Sequence, residues 1–154
     1  MNKTLFVAVL ALTAVSAHAQ DMKTFASSAE VEAMIAKAKA DIKPGLADIS
    51  QSVVALAPYD VTVDYRVAGG GPSFHPREAE FIFIMDGTGS FLMGGTMKDK
   101  QGKQTTEVKD AVIEGARTYP LTKGDFIFVP QATPHQVLTV NGTMTLMAIH
   151  VPRQ

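Results

Sequence analysis

The 154-residue chain contains no cysteine and no tryptophan. Without thiols there is no disulfide, no thiolate nucleophile and no thiolate metal site, so any metal ligand must be His, Asp, Glu or backbone. Charge of one sign is lacking too: 14 Lys and Arg stand against 15 Asp and Glu, a formal net charge of −1. A nearly neutral chain with both signs mixed gives no electrostatic reason to expect nucleic acid or an anionic membrane as partner. Gly69-Gly70-Gly71 runs into Pro72 rather than into a Lys and a helix, which excludes a phosphate loop and reads as a turn. No internal repeat and no low-complexity segment is present.

What is there begins with a leader. Lys3 precedes an apolar run over residues 5–15, interrupted only by Thr13, and Ala17-His18-Ala19 has the small-x-small pattern of a signal peptidase site. The run falls short of the roughly 20 residues a membrane span needs. Residues 1–19 are therefore expected to be a signal peptide cut between Ala19 and Gln20, which implies a periplasmic or secreted protein. The remaining chain, about 135 residues, suits a single core. It divides into a helical segment, residues 20–45, and a β domain, residues 46–154.

The helix carries its own start and stop. Ser27-Ser28-Ala29-Glu30 is a capping box, Val31, Met34, Ile35, Ala38 and Ile42 recur at helical spacing, and Pro44-Gly45 ends the pattern. Beyond Gly45 the period becomes two. Tyr59, Val61, Val63, Tyr65 and Val67 alternate with Asp60, Thr62, Asp64 and Arg66, as in a half-buried strand. Further strands are expected over residues 80–85, 90–93, 119–122, 126–129, 135–140 and 143–151, with residues 98–110 as an exposed polar hairpin or loop. Asp86-Gly87 and Asn141-Gly142 read as turns, the second as a two-residue hairpin loop. Many short strands with regular turns predict an all-β sandwich or barrel.

Of four histidines, His18 leaves with the leader, and His75, His135 and His150 remain. His75-Pro-Arg-Glu-Ala-Glu80 is followed by Gly87, and Gly124, Pro130 and His135 form a second spaced set. In these two stretches the chain resembles the cupin superfamily, with a germin-like spacing of the first motif. The resemblance covers roughly residues 59–151. It implies a single cupin-type double-stranded β-helix (jelly-roll) barrel and a divalent metal held by His75, Glu80 and His135. The family's first motif has a further histidine where this chain has Ser73, and its second has a glycine where this chain has Ala132. The site is thus expected to lack one of the four usual ligands, with Ser73 as a ligand-contacting position.

The residues themselves support a metal. Two imidazoles and a carboxylate suit Fe, Mn, Ni, Cu or Zn and leave coordination positions open. An inward carboxylate on the apolar strand that continues through Phe81, Ile82, Phe83, Ile84 and Met85 needs a cation or hydrogen-bond partners; the alternative is an ion pair of Glu80 with Arg77 or Arg66. Counting outward from an Asn141-Gly142 hairpin puts His150 on the same face as His135 and diagonal to it. His150 is then a replacement ligand, a general acid/base, or a plain histidine at the barrel rim. Tyr65, on the apolar face of its strand, is expected to aim its hydroxyl into the barrel as a pocket or catalytic residue, or as core. If Glu80 faces inward, then Phe81, Phe83 and Met85 face outward, and the helix or a second subunit must cover them. Two functions follow: a metal-dependent enzyme acting on a small organic molecule in the barrel, or a non-catalytic exported protein that binds a small ligand or metal there.

Overall fold

The computed structural model describes residues 23–153. The expected signal peptide, with its cut between Ala19 and Gln20, lies outside the described residues. Helix α1 (Ser28–Asp41) starts at the capping box: Glu30 N–H donates to Ser27 Oγ at 3.3 Å, and Ser27 N–H donates to Glu30 Oε2 at 2.7 Å. The box satisfies two amide donors that the first turn would otherwise leave without partners. The residues of α1 shielded from solvent are Val31, Met34, Ile35 and Ala38, and the stripe continues to Ile42 just beyond its end. This stripe packs on β1 (Asp48–Leu56) and β2 (Tyr59–Arg66). Among the described residues, no helix is long and apolar enough to cross a membrane.

The remaining elements are β3 (Glu78–Met93), β4 (Thr96–Lys98), β5 (Val112–Glu114), β6 (Arg117–Thr122), β7 (Phe126–Val129) and β8 (His135–Pro152). The main sheet runs in the order β1-β2-β8-β3-β6, with β7 also paired to β3. β4 and β5 form a separate ribbon, and the polar residues between them are mostly exposed, as expected.

Two expected turns are not turns. β8 is one strand through Asn141-Gly142, and β3 is one strand through Asp86-Gly87; they pair antiparallel with each other along both halves. Register shifts between Ile84 and Asp86, between Gly87 and Gly89, and between Ser90 and Phe91 mark where the pair bends. The glycine signals therefore serve bulges, which take the same backbone freedom as a hairpin loop. At Gly89 a Cβ would stand 2.1 Å from Thr139 O, so the close approach of β8 admits no side chain there.

The bend is what closes the barrel. One half of β3 is flanked by β7 and the end of β8, the other half by β6 and the start of β8. Ile82, Ile84, Phe91, Leu121, Val129, Val137, Met144, Leu146 and Ala148 then meet in one buried cluster drawn from both halves. Fully burying a side chain of the Ile, Leu or Phe kind contributes about 1.5–3 kcal/mol, so this cluster dominates the fold's stability.

Candidate metal centre

Glu80 comes from the inner face of β3, between the outward-facing Ala79 and Phe81. His135 opens β8 and His150 lies near its end. His75 sits on the segment between β2 and β3, which is stitched to the start of β8. Ser73 N–H donates to His135 O at 2.7 Å, and His135 N–H donates to Ser73 O at 3.1 Å. Ala132 N–H donates to His75 O at 2.9 Å, and Gln131 Nε2 donates to Pro76 O at 2.6 Å. Gly69 lets this segment lie against β8, since a Cβ there would stand 2.1 Å from Leu138 O.

These contacts bring three imidazoles around one carboxylate. His135 Nε2 is 2.8 Å from Glu80 Oε2, His75 Nε2 is 3.6 Å from the same oxygen, and His150 Nε2 is 3.6 Å from Glu80 Oε1. The His75 ring lies 5.2 Å from that of His135 and 4.7 Å from that of His150, centroid to centroid. One donor atom each from His75, Glu80 and His135 falls within 4.8 Å of the others. Neither arginine expected as an alternative partner for Glu80 takes that role. Arg66 pairs with Asp48 at 3.2 Å and Asp64 at 3.5 Å, and no ion pair of Arg77 is seen among the described residues.

The donor set fits a divalent metal. His135 Nδ1 lies 2.9 Å from Thr133 O, a carbonyl that can only accept, so a proton on Nδ1 is held there and Nε2 faces Glu80 either with its lone pair, free for a metal, or with a second proton. Nε2 lies 2.8 Å from a carboxylate oxygen, and Glu80 Oε2 has no aligned hydrogen-bond partner among the described residues although the side chain is only 9% exposed. Two acceptors this close and this buried require a cation or a proton between them. Burial pushes the Glu80 carboxyl up, but His135, His150 and His75 outweigh it and hold it well below the ordinary carboxylate range. Glu80 in turn raises the His150 imidazole above its ordinary value, against the opposing effect of burial.

His150 is at the site, although by a different route from the one its sequence position suggests. No hairpin forms at Asn141-Gly142; His150 stands directly opposite Glu80 on the β3–β8 ladder, while His135 stands opposite Met93 fifteen residues earlier. Barrel closure, and not strand pairing, brings the two histidines together.

Tyr65 is not in the site. The cavity of about 500 Å³ is lined by Asp60, Thr62, Asp64 and Arg66 of β2, so the strand turns its polar face inward. Tyr65 alternates with these residues and is buried on the opposite face with Val63, on the side where α1 packs. The expectation failed because the helix stripe, and not the barrel, claims the apolar face of β2. Asp48 and Ser50 of β1 line the cavity as well. The sequence signal for this wall was the helix itself, whose apolar stripe needed an apolar strand face to cover. Ser73 does line the cavity, beside His75.

No family model matches the sequence, and no curated protein matches it. Solved structures are similar. A proposed mannose-6-phosphate isomerase from Ralstonia eutropha aligns at TM-score 0.51 and 16% identity, covering 73% of this chain and 93% of that one. A protein from Thermus thermophilus aligns at TM-score 0.51 and 13% identity, covering 73% and 89%. Identities this low carry the fold and nothing of the activity. With its bent β3–β8 pair closing the barrel and both motif segments meeting on one cavity, the chain has a cupin-type fold, a double-stranded β-helix barrel with an N-terminal helix.

Proposed function

We propose that this is an exported metal-dependent enzyme that acts on a small organic molecule in the barrel, with His75, Glu80 and His135 as the metal ligands. The observation that carries the reading is the convergence of one donor atom each from His75, Glu80 and His135 within 4.8 Å, around a Glu80 Oε2 with no aligned hydrogen-bond partner among the described residues. A bound Fe, Mn, Ni, Cu or Zn ion would supply Lewis-acid or redox chemistry and open positions for substrate. The protein's own contribution is placement. Thr133 O orients the His135 ring, and the Ser73 and Ala132 amides fix the backbones of His135 and His75.

His150 stands beside the three-ligand group, with a buried Nε2 that has no hydrogen-bond partner. Its place outside the group of three donors that lie within 4.8 Å of one another favours a proton-carrying role at that nitrogen over service as a fourth ligand. One observation favours the second reading, a non-catalytic binding protein: Ser73 engages His135 through its backbone, so the position contributes structure where the family's motif has a ligand.

The experiment is metal analysis of protein purified from its native compartment. One equivalent of a transition metal is expected, lost in His75→Ala and His135→Ala. His150→Ala is expected to keep the metal and lose turnover. Metal-free protein under every loading condition removes the metalloenzyme reading, and unchanged turnover in His150→Ala removes the role of His150.

The same reading includes a homodimer. Phe83, Phe126 and Phe128 on the outer face of β3 and β7 are 42%, 61% and 49% exposed, and Phe81 touches the last two at ring centroid distances of 5.7 and 4.8 Å. Helix α1 packs on β1 and β2, leaving this cluster for a second copy to cover.

A further inference from the structure

The cavity wall facing the three histidines is chemically one-sided. Ser50 Oγ donates to Asp64 Oδ1 at 2.6 Å, and Thr62 Oγ1 donates to the same oxygen at 3.3 Å. Both hydroxyl protons are therefore committed, and each hydroxyl offers the cavity only lone pairs. The one cation of the wall, Arg66, is engaged by Asp48 and Asp64 through its two terminal nitrogens, and its buried Nε has no hydrogen-bond partner among the described residues. Asp60 is half-buried, lines the cavity, and has no side-chain partner among the described residues. The wall is thus rich in acceptors, has one unpartnered donor at Arg66 Nε, and carries three carboxylates against one guanidinium.

Its position is equally defined. Asp60 pairs with His150, and His150 with Glu80, so the three occupy one cross-strand row over β2, β8 and β3. Neighbouring strands lie about 4.8 Å apart, which sets the Asp60 backbone roughly 10 Å from that of Glu80. A second observation marks this cavity as a ligand site. The Glu80 side chain is 9% exposed, lines the same space, and keeps Oε2 without a hydrogen-bond partner.

We infer that the ligand of this cavity is a small cationic amine, whose N–H groups are received by Asp60 and Thr62 while its other end lies toward His75, Glu80 and His135. At this wall an anionic group would meet three carboxylates whose one counter-charge, Arg66, is already paired with two of them, and the metal centre across the cavity would receive only the ligand's other end. A neutral polyol could use the acceptors but would leave the Asp60 charge uncompensated in a half-buried site. The orientation of the ligand rests on the metal-centre reading; the preference for a cation rests on Asp60 alone.

Three probes of matched size separate these cases: ethanolamine, ethylene glycol and glycolate. Each is titrated calorimetrically into the full exported protein, loaded with Mn(II) and metal-free, with metal content measured on the same samples. Ethanolamine is expected to bind at least about tenfold more tightly than either other probe, as one charge-assisted contact allows. The preference persists without metal and disappears in Asp60→Asn, which retains its metal. Thr62→Val, which deletes one acceptor oxygen, weakens ethanolamine binding in parallel and serves if the Asp60 variant does not fold. Equal or tighter binding of glycolate by the metal-free protein overturns the inference. So does failure of all three probes to bind, or a preference unchanged in the variants. Absence of metal with the ethanolamine preference intact refutes the metal centre and leaves this inference standing.

Discussion

His135 Nε2 and Glu80 Oε2 stand 2.8 Å apart without forming an aligned hydrogen bond, while on the other side of the ring His135 Nδ1 lies 2.9 Å from Thr133 O. Glu80→Gln places an amide donor where the carboxylate was and satisfies the imidazole directly. Metal affinity is expected to fall at least about tenfold, since the anionic ligand is gone. Wild type should gain about 3 kcal/mol of stability at a metal concentration a hundredfold above Kd, and the variant far less at that same concentration. Melting curves with and without metal check this; equal stabilisation of both proteins would exclude Glu80 as a ligand.

Asp64 gives the pH dependence a definite sign. Burial raises its carboxyl above the ordinary value, and the hydrogen bond from Ser50 and the charge of Arg66 only partly offset this. The native state therefore holds the proton to a higher pH than the unfolded chain, whose aspartates titrate near about 3.9. The stability contributed by protonation is fully present below that value and is lost as pH rises through the folded one. Asp64→Asn, which keeps an acceptor for Ser50 and Thr62, should be relatively more stable at the upper end of this window. Urea unfolding of both proteins across the acid range measures the difference, and parallel curves would dismiss it.

Ala132 carries φ +54°, in the left-handed region, while its N–H holds His75 O. A Cβ costs about 1–2 kcal/mol in that region, part of which the lower entropy of unfolded alanine returns. Ala132→Gly is expected to stabilise the protein by about 1 kcal/mol with the metal site intact. The midpoint of denaturant unfolding reports it, and a lower midpoint would show that the turn is not strained.

For the outer aromatic cluster, Phe126→Asp should leave the barrel folded, because the side chain is 61% exposed. The expected outcome is a shift from dimer to monomer in analytical ultracentrifugation. A wild-type protein that sediments as a monomer at all concentrations would reject the second copy as its cover.

The helix was fully legible because a capping box and a 3.6-residue stripe are local, and each residue's role depends on neighbours within one turn. The inward and outward alternation of β3 was legible for the same reason: Glu80, Ile82 and Ile84 are buried while Phe83 is exposed. The bends at Gly87 and Gly142 were read as turns, because positive φ marks a glycine's backbone need without saying whether the chain reverses or only kinks.

The sequence by itself determined the ligand chemistry. With no cysteine, a buried metal could only be held by histidine, carboxylate or backbone, and the resemblance to the cupin motifs pointed to His75, Glu80 and His135 as the proposed ligands. It also determined that β2 has one apolar and one polar face. Which face lines the cavity was decided only by the tertiary structure, because either could face the barrel until α1 covered the side that carries Val63 and Tyr65. That choice removed Tyr65 from the site and brought in Asp60, Thr62 and Asp64. Likewise His135 and His150, fifteen residues apart on one strand, meet at Glu80 only because the β3–β8 pair bends and closes on itself, a long-range condition that no local pattern encodes.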